Sequence, residues 1–372
     1  STRQRQWMNA ETNSSTKKEH TMTDLGILVA GVGNMGRSHT LAYRELDGFE
    51  VAGIVTRTDS GKPFADELGV PHFTDYSAAL AETRPQAVSI NTYTGSHFDY
   101  VTQALQADCH VFVEKPLAET VEQAEAIVAL ATERRRKLVV GYILRHHPAW
   151  TRFVEIARTL GKPLVMRMNL NQQSTGQHWQ HHQNIMESQS PIVDCGVHYV
   201  DVMCQMTRSR PRRVHAIGAR LSDALAPGMY NYGHLQLTFE DGSVGWYEAG
   251  WGPMVSEVAF FVKDVIGPEG CVSIVSGATG DSDAIDSHTQ TNCLQLHRAS
   301  LDDDGNPTVP DEFIDTADEP DHLALCQREQ AWLLDAIRND IDLTEHMQDA
   351  VDSLRIVLAA DESVRTGQVI EL

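Results

Sequence analysis

The chain has 372 residues, a hydrophobic share of 41% and a formal charge of -21 at pH 7. That length exceeds one ordinary core and predicts two domains. The acid excess argues against nucleic-acid or anionic-membrane partners, which need basic surface.

Residues 1–21 are polar and rich in Ser, Thr and Asn, which predicts a flexible extension rather than a secretory signal. Met8 and Met22 are both plausible starts. No run of about 18 apolar residues occurs, so no membrane-spanning helix is expected. Six scattered cysteines without a C-x-x-C pair suit a reduced, cytoplasmic chain.

The apolar run Leu25–Ala30 predicts a strand, and Gly31-Val32-Gly33-Asn34-Met35-Gly36 follows it directly. Glycines at this spacing allow a tight turn, a close approach of phosphate to backbone, and close helix–strand packing. Arg37–Ala42 continues as a helix, the context that a dinucleotide-binding turn requires. A glycine-rich βα turn with no ligand is the alternative. Further strands are expected at Phe49–Val55, Ala87–Asn91, His110–Glu114 and Leu138–Tyr142. Helices are expected between them at Gly61–Leu68, Thr74–Glu82, Phe98–Ala107 and Thr120–Arg136. Such alternation with short links predicts a doubly wound parallel sheet, a Rossmann domain over residues 22–144.

Past Leu144 the pattern changes. A helix at His147–Leu160 and a strand at Leu164–Gln172 lead to a helix at Ile192–Met206. Strands then follow at Arg213–Leu221, Tyr232–Phe239, Ser243–Ala249, Glu257–Ile266 and Cys271–Val275. Adjacent strands in series predict a second α+β domain, residues 145–372, with a large, mostly antiparallel sheet. Asp302–Asp318 reads as an exposed acidic loop. The closing helices, Leu323–Asn339 and Thr344–Thr366, could pack back on the first domain.

Three places carry candidate chemistry. Glu114-Lys115-Pro116 ends the fourth strand, at the sheet edge where ligands of such folds bind. The proline restricts Lys115 to extended backbone and so holds its amine; a surface Lys-Pro turn is the alternative. Asp194 and His198 lie four apart and share a helix face, which suits acid–base work, although Asp194 could merely cap that helix. Gln177-His178-Trp179-Gln180-His181-His182 invites a metal reading. The segment looks loop-like, however, and no cysteine or carboxylate completes a ligand set, so no metal is expected. A sugar-facing wall fits better, with Trp179 stacking and the histidines His178, His181 and His182 bonding hydroxyls, joined by Asn169, Gln172 and Gln173; a solvated polar loop is the alternative.

Where a carboxylate would select NAD, the second strand ends in Thr56-Arg57-Thr58. A hydroxyl beside a guanidinium suits a 2′-phosphate and favours NADP. NAD remains possible if Arg57 lies over the adenine.

Together these motifs resemble the Gfo/Idh/MocA family of sugar and polyol oxidoreductases, from Leu25 to Leu372. The strongest marks are Glu114-Lys115-Pro116 and Asp194-x-Gly-x-His198, extended by Asp349-Ala350 and Gly367-Gln368. Thr92-Tyr93-Thr94-Gly95-Ser96-His97 resembles the family's cofactor loop, with Tyr93 where a proline is usual, and Tyr142–Pro148, including Arg145, resembles its domain crossover.

The resemblance implies that Gly31, Gly33, Asn34, Met35, Gly36, Thr56, Arg57, Thr92, Tyr93, His97, Glu114 and Lys115 hold NAD(P). It further implies that Lys115, Asp194 and His198 are catalytic, and that Arg145, Asn169, Trp179 and His181 meet a carbohydrate or polyol. Lys115 would contact the substrate hydroxyl, His198 would exchange its proton, and Asp194 would position both. A cis Lys115–Pro116 bond is implied as well. So is a homodimer or homotetramer through the open face of the second sheet, with Tyr232, Leu235, Leu237, Trp246 and Tyr247 supplying the bulk. Two other functions compete: a redox-assisted glycosidase or glycoside 3-oxidoreductase with retained NAD, and a non-catalytic NAD(P)-sensing regulator.

Overall fold

The structure, a computed structural model, describes residues 23–256, 262–275 and 288–372. The expected extension at 1–21 and the first half of the strand expected from Glu257 lie outside the described residues.

The first domain is built from β1 (Leu25–Ala30), α1 (Asn34–Glu45), β2 (Phe49–Val55), α2 (Lys62–Leu68), β3 (His72–Phe73) and α3 (Tyr76–Thr83). It continues through β4 (Ala87–Ile90), α4 (His97–Gln106), β5 (His110–Val113), α5 (Val121–Arg134) and β6 (Leu138–Val140). The strands form one parallel six-stranded sheet in the order β3-β2-β1-β4-β5-β6. Every residue of β4 and β6 is buried, which is why these strands read as near-continuous apolar runs, broken only at Ser89. The chain order reverses between β1 and β4, so the crevice beyond their carboxyl ends is where a ligand fits.

The second domain opens with α6 (Pro148–Ala157), β7 (Val165–Gln173), α7 (Gly176–Ile185), α8 (Pro191–Asp194) and α9 (Gly196–Thr207). The strands β8 (Pro211–Ala219), β9 (Tyr232–Phe239), β10 (Val244–Gly252), β11 (Lys263–Gly267), β12 (Gly270–Ile274), β13 (Cys293–Arg298) and β14 (Glu312–Asp315) follow. Then come α10 (His322–Arg338), α11 (Thr344–Thr366) and β15 (Ile370–Glu371). The nine-stranded sheet runs β14-β13-β12-β11-β7-β10-β9-β8-β15. Only β7 and β10 pair in parallel; the other neighbours are antiparallel.

Several expectations are corrected here. The segment 177–182 is not a loop but part of α7, a helix with no buried residue and hence no apolar stripe to announce it. The single helix expected at Ile192–Met206 breaks at Cys195. Ser190 Oγ caps α8 by accepting from the Val193 N–H at 3.2 Å, and α9 restarts at Gly196. The acidic loop contains β14, paired with β13.

Leu235, Leu237 and Tyr247 do not stand on the open sheet face. They are buried on the face covered by α6, α9 and α11, because alternate strand residues point to opposite sides. The open face carries their neighbours Gln236 and Trp246, with Tyr232, His215 and Ile217.

The closing helices return to the first domain. Leu333, Leu334 and Ala336 of α10, with Leu343 beyond it, share a core with Ile27, Val29, Tyr43, Phe112 and Val139. Helix α11 packs on α9 and β8 of the second domain and also on α5 and β6 of the first. No helix among the described residues is long and apolar enough to cross a membrane.

Candidate active site

The glycine turn has the shape its spacing implies. Gly31 sits at φ +85, where an added Cβ would lie 2.7 Å from the Asn91 carbonyl oxygen. A Cβ at Gly36 would collide with the Gly31 carbonyl oxygen, so helix and strand pack too closely for any larger residue. At Gly33 an added Cβ meets nothing within 4 Å, leaving the backbone open to an approaching anion. Helix α1 has no acidic residue in its first turn, and Gly33 provides no side-chain cap. Its first N–H groups therefore remain available to phosphate oxygens.

These residues border a groove of about 620 Å³. Asn34, Met35, Thr56, Arg57, Thr92, Tyr93, Glu114, Lys115 and His181 line it further along. Arg57 is exposed there, whereas the Thr56 hydroxyl is engaged by the Thr58 carbonyl at 2.6 Å and His72 Nε2 at 2.7 Å. The cradle fits a dinucleotide.

A second cavity of about 220 Å³ lies between the domains. Met35, Glu114, Lys115 and His181 line both spaces, so groove and cavity form one cleft. Lys115 comes from the end of β5 and is followed by a cis peptide bond to Pro116. Its Nζ donates to Asp194 at the end of α8, to the backbone oxygen at 2.9 Å and to Oδ1 at 3.2 Å. Burial opposes the lysine's charge, but Asp194, Cys195 and Glu114 together outweigh it and raise the Lys115 pKa. Burial likewise opposes charge on Asp194, and Lys115 brings its pKa below the ordinary value. The two are an ion pair at neutral pH.

His198, one turn into α9, lines the same cavity. Its Nδ1 is buried without a hydrogen-bond partner among the described residues. Burial first, then the positive charge of Lys115 and the neighbouring His288, hold its pKa well below the usual imidazole value. A neutral imidazole there can accept a proton.

The fold thus brings together an ammonium and an imidazole from different domains beside a groove that fits a dinucleotide. Comparison with known proteins agrees with that architecture. A model described as "Oxidoreductase family, NAD-binding Rossmann fold" matches residues 25–142, and the Gfo/Idh/MocA C-terminal domain model matches residues 156–262, together more than half of the chain. The chain belongs to the Gfo/Idh/MocA family.

Among curated relatives, the scyllo-inositol 2-dehydrogenase (NAD(+)) of Bacillus subtilis is 26% identical over 92% of this chain and 95% of its own length. The UDP-N-acetylglucosamine 3-dehydrogenase of Acidithiobacillus ferrooxidans is 38% identical, over 32% of this chain. The chain spans only 38% of that relative's length. Among solved structures, the aldose-aldose oxidoreductase of Caulobacter crescentus, complexed with glycerol, superposes with a TM-score of 0.75. It is 20% identical, over 94% of this chain and all of that one. At such identity the likeness shows the fold alone.

Within this Gfo/Idh/MocA site, four residues carried over from the family pattern stand elsewhere. Arg145 turns away from the cleft: its Nε and Nη2 grip Asp201 of α9 at 2.9 and 2.6 Å, and Nη2 also reaches Asp349 of α11 at 2.6 Å. Asn169 lies on the sheet face opposite the cavity, where its Oδ1 accepts from the Val262 N–H at 2.8 Å. Strand alternation instead sends Leu170 and Gln172 into the cavity. Trp179 packs against Met186, Leu225 and Trp251 rather than lining either space. His97 is fully buried between the Pro116 and Thr92 carbonyls, 2.8 and 3.0 Å from its two ring nitrogens; a neutral ring donates to one of them, and the residue packs the cofactor loop against the Lys-Pro turn without lining the groove.

Sequence reasoning named His182 among the wall residues but missed its partner, Trp251. Their rings stack at 4.2 Å with only 13° between planes, and His182 also meets Ser174 Oγ at 2.9 Å. Burial pushes the His182 pKa down to about 4. The pairing of Trp251 with Gln172 across β10 and β7 was the available signal, once the phase of β7 was known. His288 and His322 complete the rim.

Proposed function

We propose that this chain is an NAD(P)-dependent oxidoreductase acting on a CH–OH or keto carbon of a sugar, sugar derivative or cyclitol. One observation carries the reading: Lys115 of the first domain and His198 of the second line one cavity, which opens into the glycine-bordered groove. A nicotinamide bound there supplies the two-electron carrier and takes or returns hydride.

The remaining work falls to the chain. The open amides at the start of α1 hold the pyrophosphate, and the exposed Arg57 favours a 2′-phosphate, hence NADP over NAD. Glu114, Thr92 and Tyr93, which line the same groove, would hold the nicotinamide end. Lys115, kept charged by Asp194, donates a hydrogen bond to the substrate oxygen and stabilises negative charge developing on it. His198, held neutral, takes the hydroxyl proton during oxidation and returns it during reduction. The apolar side chains Met35, Ile143, Leu170 and Ile185 limit water in the cavity, while His181, His182 and Gln172 offer polar partners to hydroxyls.

The same reading expects a cytoplasmic protein, in keeping with its six free cysteines, and subunit contacts on the open face bearing Tyr232 and Trp246. Light scattering on the purified protein reads the assembly directly. The activity test is a panel of sugars and cyclitols with NAD and NADP, read by absorbance of the reduced nicotinamide. Reduction with a member of the panel supports the reading, and none with either nucleotide overturns it.

A further inference from the structure

Behind Lys115 lies a buried polar chain of which the proposed reaction uses only the Glu114 end. Glu114 lines both groove and cavity. Its Oε1 faces His39 Nε2 of α1 at 2.8 Å, and its Oε2 accepts from the Lys115 backbone N–H at 3.2 Å. On the far side of the imidazole, His39 Nδ1 meets Gln330 Nε2 of α10 at 2.9 Å. Gln330 Oε1 in turn accepts from the Tyr43 hydroxyl at 2.7 Å. His39 and Gln330 are fully buried.

The donors order this chain in one direction. An amide oxygen only accepts, so Tyr43 donates to it and the Gln330 NH₂ group faces His39. That NH₂ only donates, so Nδ1 accepts and the ring carries its proton on Nε2. Nε2–H then donates to Glu114. With the amide turned over, Nδ1 would carry the proton and a lone pair would face a carboxylate.

A second acid fixes where the charge sits. Glu329, beside Gln330 on α10, is fully buried, and neither of its carboxyl oxygens has a partner among the described residues. Burial and the Glu114 charge push the Glu329 pKa well up, so it keeps its proton. Burial opposes charge on Glu114 also, but His39 and then Lys115 bring its pKa below the ordinary value. The Glu114 charge also acts on His97 of α4, whose own pKa burial lowers, and on Tyr43 of α1, whose hydroxyl burial keeps protonated.

We infer that His39 and Gln330 are positioning residues, through which helix α10 holds Glu114 as an oriented carboxylate beneath Lys115, where groove and cavity meet. The inference rests on the oxidoreductase reading for its kinetic arm and is independent of it for its spectroscopic arm.

The spectroscopic arm uses the full-length protein labelled with ¹⁵N-histidine, with the His39 ring assigned by its loss in His39→Gln. The expected signature at pH 7 is a protonated Nε2 and a bare Nδ1, converted in Gln330→Glu to a ring protonated at Nδ1. A wild-type ring protonated at Nδ1, or on both nitrogens, overturns the inference whatever the enzyme turns over.

In the kinetic arm, His39→Leu is expected to lower kcat at least tenfold with KM for the sugar within twofold. The acid limb of kcat should move to higher pH, because Glu114 loses a donor to its charged form. His39→Gln, which keeps a donor at the Nε2 position, should restore kcat to within threefold. Glu329→Gln should leave kcat within twofold. Equal losses in His39→Leu and His39→Gln, an unmoved acid limb, or a large loss in Glu329→Gln overturn the assignment. If His39→Leu does not fold, Gln330→Leu and the wild-type tautomer decide instead. A wild-type protein inert toward every sugar sinks the proposed function and leaves the tautomer to judge this inference.

Discussion

Two cation–carboxylate clusters sit between the elements that join the domains, and they do different work. Lys115 meets Asp194 at the cleft; Arg145 meets Asp201 and Asp349 behind it. Burial does not separate them, since the Lys115 and Arg145 side chains are 18% and 13% exposed. Completion does. Arg145 spends its planar fork on two carboxylates, Asp349 is further held by Arg208 at 2.9 Å, and Gln205 fills the second Asp201 oxygen at 3.0 Å. No room is left for a ligand. Lys115 is a compact donor with one carboxylate partner and a face on an open cavity. A closed shell of partners makes a strut, and an unfinished one makes a site.

Substituting Arg145 should have the largest effect. Arg145→Leu strands two buried carboxylates against each other and should cost about 3–5 kcal/mol of stability, read from denaturant midpoints. Lys115→Leu leaves one carboxylate rather than two without its cation, and Asp194 borders an open cavity, so the loss should be smaller by the same measurement. Equal losses would erase the distinction drawn here.

On turnover the ranking should invert. Lys115→Ala and His198→Ala should each lower kcat by at least about a hundredfold, the usual scale of lost acid–base assistance. A near-normal rate for either variant removes that residue from the mechanism.

Neither ion pair accounts for acid sensitivity; buried histidines do. Burial lowers the pKa of His97, His146, His147, His182, His198 and His346, to about 4 for His147 and His182. The unfolded chain takes up these protons near pH 6.5 while the folded chain refuses them. Stability should therefore be greatest above pH 6.5. It should fall as pH drops from there toward 4, by up to about 1.4 kcal/mol per histidine per pH unit. A melting temperature flat between pH 7 and 5 contradicts that sum.

The smallest effect is expected at the groove's edge. Arg57→Ala should weaken NADP by about tenfold, the scale of one charge-assisted hydrogen bond, and barely alter NAD. Titration with both nucleotides measures it, and equal losses refute the 2′-phosphate role.

The first domain was legible because its signals are local. β6 is apolar throughout and β4 but for Ser89, and the glycine turn follows β1 directly, with Gly36 packed on the Gly31 carbonyl five residues back. The second domain hides its signals in phase and distance. Asn169 and Leu170 are adjacent, and only the register of β7 tells which one faces the cavity. Leu235, Leu237 and Tyr247 are bulky enough for an interface, yet that same bulk is what buries them under helices. Arg145 looked like a substrate ligand because its partners lie 56 and 204 positions away. Helix α7 has only two large apolar side chains, Trp179 and Ile185, too few to set a period.

The return of α10 to the first sheet has a consequence for biosynthesis. Ile27, Val29 and Phe112 finish their core only against Leu333, Leu334 and Leu343. Most of the polypeptide must therefore leave the ribosome before its earliest third can close. Until then one flank of the nascent sheet stays uncovered, a surface for chaperones to shield. Truncating the gene just before residue 322 should yield an aggregating fragment rather than a small nucleotide-binding module.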